Sequence, residues 1–248
     1  MPTVKVINEY KRVFNTAKIC LHMWDSIDNI PNINKKLNLF DYVSSFDRKD
    51  CINNPSINFR PLFYCDDYKA TNDLKQKYKY DISFIGTIHS DRYKILKEIE
   101  KSTKKQNLKL YMYPFLQSKF IYYFYKITKK EFRDTTINNF KFEKISSSDI
   151  SNIVDRSRII IDIQHPNQTG LTMRTIEMIG MKKQIITTNK DIVNYDFYDS
   201  RNIFILDREK LNIDLKSLFI EYSPIKEEIY QKYSLEYWVY DVLGGREE

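Results

Sequence analysis

The chain has 248 residues, of which 42% are hydrophobic and 15% aromatic, and this composition is typical of a globular protein with a sizeable core. It contains no apolar run of the ~20 residues needed to span a bilayer. It also lacks the apolar core of a signal peptide at its amino terminus, so we expect a cytoplasmic protein. The net charge of +7, from 40 Lys and Arg against 33 Asp and Glu, admits nucleic acid, anionic membrane or phosphorylated ligands as partners.

Cysteine and histidine indicate no metal site. The three cysteines and three histidines are widely spaced and form no Cys-x-x-Cys pair or other ligand cluster: Cys20, His22, Cys51, Cys65, His89 and His165. We therefore predict neither a disulfide framework nor a bound metal.

The first 66 residues alternate short helices and strands, which is typical of an α/β sheet. The predicted elements are a polar helix over residues 1–17, a strand over Lys18–Trp24, a helix over Asn32–Phe40, and strands over Asp41–Phe46 and Asn58–Phe63. The next stretch, Asp66–Tyr80, is polar and charged without apolar periodicity. We interpret it as a linker between two domains.

A second series of elements begins with the strand Asp81–Gly86, the helix Ser90–Ser102 and the strand Leu108–Tyr113. Gly86, at the turn between the first strand and the helix, permits a ligand to approach the backbone closely. Arg92 points at the same crevice. A single glycine after a strand is also what an ordinary tight turn requires.

The segment Phe115–Phe132 is unusual because it contains seven aromatic residues and, with the nearby Arg133, five basic ones. Such interleaving suits a helix at an anionic membrane interface, and it also suits base stacking beside a phosphate chain. The alternative is a core helix whose lysines keep only their charged ends in water. Membrane contact and a core role are equally expected from the sequence.

Further elements complete the predicted sheet and its cover. They are a short strand over Phe142–Ile145, a serine-capped helix over Ser147–Ser157, a strand over Asn202–Asp207 and an aromatic terminal helix over Ile225–Leu243.

The most informative stretch, Arg158–Asn189, has the order strand, loop, helix, strand. Ile159–Ile163 is too short and too rich in β-branched residues for a helix, and His165–Thr169 carries turn-prone residues. Apolar residues then recur at helical spacing until a second β-branched run, Gln184–Thr188. Such a unit belongs in a parallel sheet, where the loop after the first strand and the amino end of the helix border a ligand crevice.

Arg174 and Glu177 lie near the start of this helix and on one face of it. The rise between them is roughly 4.5 Å, which is comparable to the step from the diphosphate to the ribose of one nucleotide. A helix start and an arginine fork suit phosphate oxygens, and a carboxylate suits a pair of ribose hydroxyls. An ordinary surface ion pair on a crossover helix explains the same two residues.

The order of these features resembles the donor-binding segment of GT-B glycosyltransferases. Gly170, Leu171, Arg174 and Glu177 match the Gly-Leu-x-x-Arg-x-x-Glu pattern of bacterial enzymes of capsule and lipopolysaccharide synthesis and of spore-maturation-type relatives. The pattern departs at Thr169, where many retaining enzymes have a second glutamate eight positions before the ribose glutamate. The resemblance therefore implies neither a retaining nor an inverting outcome.

The resemblance implies an α/β, GT-B-like fold with two Rossmann-like lobes built on parallel sheets. The amino-terminal lobe would be abbreviated and occupy residues 1–66. The donor-binding lobe would be nearly complete, occupy residues 67–248 and end in a helix that crosses back over the junction. Trp24–Ser26 and Ser45–Asp47 resemble segments from the second half of the family's amino-terminal lobe, so the first strands of that lobe would be missing.

The implied activity is a metal-independent transfer of a sugar from a nucleotide-sugar to a surface-polysaccharide or lipid-linked acceptor, with no cofactor besides that co-substrate. Asp25, at a strand end in the first lobe, is the candidate catalytic base. The residues expected to bind the donor are Gly86, Arg92, His165, Thr169, Gly170, Arg174 and Glu177.

Within that set, Arg174 and the helix start at Gly170 would bind the diphosphate, and Glu177 would hold the ribose. His165 and Thr169 would lie near the sugar. Two other functions stay open: a non-catalytic nucleotide-sugar-binding or assembly subunit, and a basic nucleic-acid-binding protein. Nucleic acid is the less expected partner, because the Glu177 carboxylate would repel phosphate.

Overall fold

The structure is a computed structural model that describes residues 2–70, 78–166, 168–211 and 213–243. The centre of the linker predicted over Asp66–Tyr80 lies outside the described residues. The described strands are β1 (Cys20–Met23), β2 (Tyr42–Ser45), β3 (Asn58–Phe59), β4 (Tyr80–Thr87), β5 (Leu110–Phe115), β6 (Ser157–Asp162), β7 (Gln184–Thr187) and β8 (Ile203–Ile205). The described α-helices are α1 (Val4–Val13), α2 (Arg48–Asn53), α3 (Arg92–Lys105), α4 (Lys119–Thr128), α5 (Ser147–Asp155), α6 (Met173–Gly180), α7 (Glu227–Lys232) and α8 (Leu235–Val242).

Two parallel sheets organise the chain. The first has the order β1-β2-β3, with Leu21 opposite Val43 and Ser44 opposite Asn58. The second has the order β5-β4-β6-β7-β8, and all its strands run parallel. The expected α/β fold with two parallel-sheet lobes is therefore confirmed.

The isoleucine run of β6 lies at the centre of the second sheet. Ile159 and Ile161 pack into the hydrophobic cluster on the side of α3 and α4, whereas Ile160 packs into the cluster on the side of α5 and α6. None of the three is more than 2% exposed. A strand buried on both faces has a continuous apolar sequence, which is why the sequence indicated this strand.

The two lobes share one hydrophobic cluster. Phe46 and Tyr64, which precede the linker, pack in it with Ile176 of α6 and Tyr233 at the end of α7. The backbone N–H of Tyr64 donates to the carbonyl of Tyr233 at 2.8 Å, and the Tyr64 carbonyl accepts from Leu235 at 3.0 Å. The carboxy-terminal helices thus lie across the junction between the lobes.

The single helix predicted over Ile225–Leu243 is wrong, because the chain forms two helices there. α7 ends at Lys232, and Ser234 caps α8 by accepting a hydrogen bond from the N–H of Tyr237 at 3.3 Å. The break is where Ser234 forms a parallel bridge with Tyr64. Local periodicity does not reveal this pairing, because the partner is distant in the chain.

The predicted helix over Asn32–Phe40 is also wrong. The structure has two 3₁₀ turns there, Ile33–Lys35 and Leu37–Leu39. Asn32 precedes them with a φ of 59°, a left-handed conformation that Asn tolerates better than most residues and that an α-helix excludes.

The edge of the second sheet beside β5 has less structure than the sequence predicted. The strand expected over Phe142–Ile145 is absent from the described residues, where only an isolated bridge joins Lys141 to Phe115.

The aromatic and basic segment, Phe115–Phe132, divides into the end of β5, helix α4 and a 3₁₀ turn over Lys130–Phe132. In the described parts of the chain, every helix is too short or too polar to cross a bilayer.

Gly180, the last residue of α6, lies against the segment that follows the first lobe. A Cβ atom here would come within 2.4 Å of the Tyr68 carbonyl oxygen and 2.5 Å of the Tyr64 ring. The first contact is to backbone, so a side-chain rotation does not relieve it. We expect Gly180→Ala to lower the free energy of unfolding by about 1–3 kcal/mol, measured by urea denaturation.

Gly86→Ala is the matched control for this variant. The nearest atom to its added Cβ is Cζ of Phe84 at 3.2 Å, a side-chain atom that would need to move by only a few tenths of an ångström. Equal losses of stability in the two variants would contradict a specific close approach at Gly180.

Candidate functional site

The second sheet changes its direction of winding between β4 and β6. β5 lies on one side of β4 and β6 on the other. The helix after β4, α3, packs on one face of the sheet, and the helix after β6, α6, packs on the opposite face. The loops after the carboxyl ends of β4 and β6 therefore diverge and leave a crevice, the usual position of a ligand in open α/β sheets.

The last residue of β6 fixes the start of α6. Asp162 is 5% exposed and accepts hydrogen bonds from the hydroxyls of Thr172 at 2.8 Å and Thr175 at 2.5 Å. Thr172 in turn caps the helix by accepting from the N–H of Thr175 at 3.2 Å. The positive amino-terminal end of α6 is thereby held at the crevice.

Arg174 and Glu177 form an ion pair within α6. Nη1 of Arg174 lies 2.8 Å from Oε2 of Glu177, and the two side chains are 20% and 14% exposed. The pair is therefore largely buried, unlike an ordinary surface ion pair. Burial raises the pKa of Glu177; the Arg174 charge opposes this rise, and the charge of Asp162 adds to it.

A cavity of about 280 Å³, which we call the Gly86 pocket, opens beside Arg174. Gly86 and Thr87, at the end of β4, form another part of its wall. The other lining residues are mostly apolar or aromatic: Ile85, Tyr113, Phe115, Lys144, Ile145 and Ile150. The structure thus brings Gly86 and Arg174, two of the residues expected to bind the donor, to one pocket.

A second cavity, of about 440 Å³, lies at the carboxyl ends of β6, β7 and β8, and we call it the Thr169 pocket. Its lining is largely polar and includes Gln164, Thr169, Thr188, Asp191 and Arg208. Of the predicted donor-binding residues, Gly86 and Arg174 line the Gly86 pocket and Thr169 lines the Thr169 pocket, whereas Arg92, His165, Gly170 and Glu177 line neither cavity.

Nothing in the sequence singled out Arg208, which joins three loops of the crevice. Its Nη1 lies 2.7 and 2.8 Å from the carboxylate oxygens of Asp91. Its Nη2 donates to the carbonyl of Gln164 at 2.6 Å and to the hydroxyl of Thr188 at 3.0 Å. Arg208 lies in a charged run after a short strand, where a solvated side chain is the ordinary expectation.

Arg92 lies at the crevice, where its contacts are backbone carbonyls. Its Nε donates to the carbonyl of Ile163 at 2.7 Å, its Nη1 donates to that of Thr87 at 2.6 Å, and its Nη2 also donates to Ile163. These carbonyls belong to the ends of β4 and β6, so Arg92 braces the two sides of the crevice. A direct contact with the donor stays a prediction.

Two histidines lie together in the loops after β4 and β6. The ring centroids of His89 and His165 are 5.6 Å apart. His165 is exposed, whereas burial, aided by the charge of Arg92, lowers the pKa of His89 to about 4. His89 is therefore neutral at pH 7 and can both donate and accept a hydrogen bond.

Two consecutive first-lobe residues hold the loop after β6. The Phe46 ring occupies the space that a Cβ at Gly170 would need, because the two would approach to 2.5 Å. Asp47 accepts a hydrogen bond from the hydroxyl of Thr169, which lies 2.6 and 2.7 Å from its carboxylate oxygens. Packing against the first lobe thus accounts for a glycine at position 170. Thr169 is held by its hydrogen bond to Asp47 of that lobe.

The candidate base Asp25 lies at the end of β1, and it is not among the described residues that line either pocket. Its carboxylate is exposed and accepts from the N–H of Ser26 at 2.9 Å and from Nδ2 of Asn29 at 2.8 Å. The carboxylate that reaches the second lobe is Asp47, which is 1% exposed and also accepts from the Ser26 hydroxyl at 2.5 Å.

Solved structures share the fold of this chain. The chain is similar to a glycosyltransferase from Rickettsia africae ESF-5, with a TM-score of 0.58 and 15% identity over 97% of this chain and 78% of that one. It is also similar to the Glycosylation Associate Protein (Gap123) complex from Streptococcus agalactiae, with a TM-score of 0.50 and 18% identity over 97% of this chain and 51% of that one. The chain has a glycosyltransferase fold.

The expected two-lobe, GT-B-like architecture is therefore confirmed. The chain also matches the C-terminal domain of the Glycosyl Transferase Group 1 Family Protein (LpcC) from Francisella tularensis. This match has a TM-score of 0.39 and 15% identity, over 72% of this chain and 95% of the other. The chain spans about half the length of the Gap123 chain that it matches. No protein-family model and no curated protein sequence matches it.

Proposed function

We propose that this chain binds a nucleotide-sugar at the carboxyl edge of the second sheet and transfers its sugar to a surface-polysaccharide or lipid-linked acceptor. The observation that carries the proposal is the largely buried Arg174–Glu177 pair beside the Gly86 pocket. A buried ion pair costs desolvation energy that apolar residues of similar volume would avoid. Its position at a ligand crevice therefore favours a role in binding over a role in stability.

The nucleoside would occupy the Gly86 pocket. Tyr113 and Phe115 offer flat rings and Ile150 an apolar contact for a base, and Gly86 leaves room for it at the end of β4. Glu177, one turn along α6 from Arg174, would accept hydrogen bonds from the two ribose hydroxyls. A cavity of about 280 Å³ is small for a whole donor, so the rest of the molecule would extend outside it.

The diphosphate would lie at the amino-terminal end of α6. Asp162 and Thr172 hold this helix end in place, and its backbone N–H groups and dipole favour negative charge. Together with Arg174, the helix end would also stabilise the charge that develops on the departing diphosphate, so that no metal ion is required. The sugar would then extend towards the Thr169 pocket and His165.

Asp25 is the proposed base because its carboxylate is exposed at the end of a first-lobe strand. Asp47 is closer to the loop after β6, yet it is 1% exposed and bonded to Thr169, Ser26 and the N–H of Lys49. We assign Asp47 the role of positioning the Thr169 loop.

A second candidate function is a non-catalytic nucleotide-sugar-binding or assembly subunit. The observation in its favour is that Asp47, the first-lobe carboxylate in contact with the loop after β6, is buried and occupied by three donors. The Streptococcus agalactiae neighbour is itself part of a glycosylation-associated complex. Such a subunit would bind the donor without cleaving it.

Thermal melting with a panel of uridine, guanosine and thymidine diphosphate sugars tests the proposal. A ligand at 100 times its Kd should stabilise the chain by about 2.7 kcal/mol, which for a chain of this size raises Tm by roughly 5–11 °C. If no nucleotide-sugar raises Tm and an oligonucleotide does so with a steep salt dependence, the chain is a nucleic-acid-binding protein instead.

Release of nucleoside diphosphate from the stabilising donor separates the two candidate functions. A transferase should release it, slowly to water and faster with an acceptor, and Asp25→Asn should suppress release while donor affinity is retained. An assembly subunit would show the shift in Tm without release.

A further inference from the structure

Helix α4 presents a row of large apolar side chains to solvent. Phe120 is 79% exposed, Tyr123 58%, Phe124 54% and Ile127 80%. Their spacing of three, four and seven residues places them on one face of the helix. The opposite face is anchored by Tyr122, which is 3% exposed.

This row differs from the single exposed apolar residues that every protein surface carries. Tyr122 packs against Phe140 with ring centroids 5.5 Å apart, and its hydroxyl donates to the carbonyl of Thr135 at 3.0 Å. The buried face of α4 therefore already has its partners. A contiguous apolar patch that remains exposed on the other face indicates an interaction surface.

Basic residues surround the row. Lys119, at the start of α4, and Lys130 and Arg133, beyond its end, are exposed. Lys94 of the neighbouring helix α3 is also exposed and lines a cavity together with Lys130. The acidic residues near this surface are Glu131, which is half-buried, and Asp134, which is exposed, along with Asp91 and Glu98 of the α3 side.

Two other lysines of the aromatic and basic segment, Lys126 and Lys129, bind backbone carbonyls of the protein instead. Nζ of Lys126 donates to the carbonyl of Thr135. Nζ of Lys129 donates to the carbonyl of Ser90 at 2.7 Å and lies 4.3 Å from the centre of the Tyr125 ring. The charge that faces outward is therefore that of Lys119, Lys130 and Arg133 rather than that of all five basic residues.

We propose that this face of α4 docks on an anionic lipid bilayer, with Phe120, Phe124 and Ile127 inserted at the level of the headgroups and the exposed basic residues on the lipid phosphates. Aromatic and aliphatic side chains on one helix face, flanked by lysine and arginine, are the features of an interfacial helix. Nucleic acid fits this face less well, because Ile127 has no aromatic surface on which a base can stack.

Docking through α4 also orients the crevice. Phe115, the last residue of β5, lines the Gly86 pocket, and Phe120 follows it by five residues, a reach of at most about 18 Å. The β5 side of the crevice would therefore lie close to the bilayer surface. The membrane contact rests on this surface alone, whereas the inference that the acceptor is lipid-anchored rests also on the proposed glycosyl transfer.

Flotation of the full chain with lipid vesicles tests the proposal. We expect it to float with phosphatidylcholine vesicles that contain about a quarter phosphatidylglycerol, and to float far less with phosphatidylcholine alone or in high salt. Changing Phe120, Phe124 and Ile127 together to Ser should weaken vesicle binding about tenfold or more. A second variant, with Lys119, Lys130 and Arg133 changed to Glu, should lose binding only to the anionic vesicles.

The matched control removes three other exposed apolar side chains, on a different helix. Tyr10, Val13 and Phe14 are 57%, 56% and 54% exposed on α1 and its carboxyl end, and their replacement by Ser should leave flotation unchanged. A wild-type chain that does not float, or α4 variants that float as it does, would overturn the proposal. A wild-type chain that elutes as a dimer and becomes monomeric in the α4 apolar variant would assign the face to a second copy of the chain.

Melting with the nucleotide-sugar panel, repeated on both α4 variants, keeps the two proposals separate. An unchanged Tm without ligand shows that the variants fold, and an unchanged shift with ligand shows that the donor site is intact. Loss of flotation with a retained donor shift supports membrane docking, whether or not the chain proves to transfer a sugar.

Discussion

Replacing Arg60 by Met is expected to lower the free energy of unfolding by about 3–5 kcal/mol, because it removes one partner of a buried ion pair. Arg60 follows β3, and its Nε lies 3.0 Å from Oδ2 of Asp241 in α8; the two side chains are 5% and 13% exposed. Its Nη2 also donates to the carbonyl of Lys232 at 2.5 Å. The substitution thus leaves the Asp241 charge without its arginine at the contact between the first lobe and the terminal helices.

Urea denaturation measures this loss, and Arg12→Met is the matched control. Arg12 pairs with Glu9 at 2.6 Å, but these side chains are 74% and 59% exposed, so losing the pair should leave the free energy of unfolding almost unchanged. Changing Arg60 to Met and Asp241 to Leu together should recover much of the stability, since neither charge of this pair remains. If Arg60→Met proves as mild as Arg12→Met, the buried pair does not hold the terminal helices to the first lobe.

Replacing Glu177 by Gln is expected to weaken binding of the nucleotide-sugar by roughly 10- to 150-fold, the equivalent of about 1.5–3 kcal/mol for hydrogen bonds to a charged group. Gln keeps the size of the side chain and removes the charge that would hold the two ribose hydroxyls. Ala is less informative, because it would empty the space beside the largely buried Arg174 and reduce stability as well as affinity.

Calorimetry on the nucleotide-sugar that stabilises the wild type gives this affinity, and its pH dependence adds a second test. Because burial raises the pKa of Glu177, its carboxylate is lost on acidification at a higher pH than that of an ordinary glutamate. Donor affinity of the wild type should therefore fall as the pH drops through this raised pKa, and that of Glu177→Gln should stay flat. The diphosphate of a nucleotide-sugar is esterified at both ends and has no titrating group in this range.

Glu9→Gln, a change at an exposed helical glutamate, is the control for the loss of one negative charge. Wild-type affinity in Glu177→Gln, with the same pH profile, would remove Glu177 from the donor site and make its pair with Arg174 purely structural.

The amino-acid sequence by itself determined the features that depend on near neighbours. The buried strand β6, the helix α6 and the strand β7 were all indicated by β-branched runs and helical spacing, and α5 has the serine cap that was expected, at Ser146. Such patterns succeed because a strand buried on both faces is apolar at every residue, and an amphipathic helix repeats its environment every three to four residues. The placement of Arg174 and Glu177 on one helix face follows from the same periodicity.

Which loops meet at the crevice was decided only by the tertiary structure. Asp47 reaches Thr169, and Arg208 reaches Asp91, through contacts between residues more than a hundred positions apart in the chain. No local period carries information about such contacts, because they depend on the order of the strands in a sheet and on how the two lobes pack together. For the same reason, the sequence identified Arg92 as a crevice residue without showing that its guanidinium braces two strand ends.

The aromatic and basic segment, Phe115–Phe132, is the clearest example of a feature that the sequence left open and the tertiary structure decided. Its composition was compatible with a core helix and with a membrane-facing one, because both need aromatic residues and tolerate lysine. Packing against Phe140 buries one face of α4, and nothing in the described residues covers Phe120 or Ile127. Which aromatic residues remain at the surface depends on the neighbours that each face meets, and only the tertiary structure supplies those neighbours.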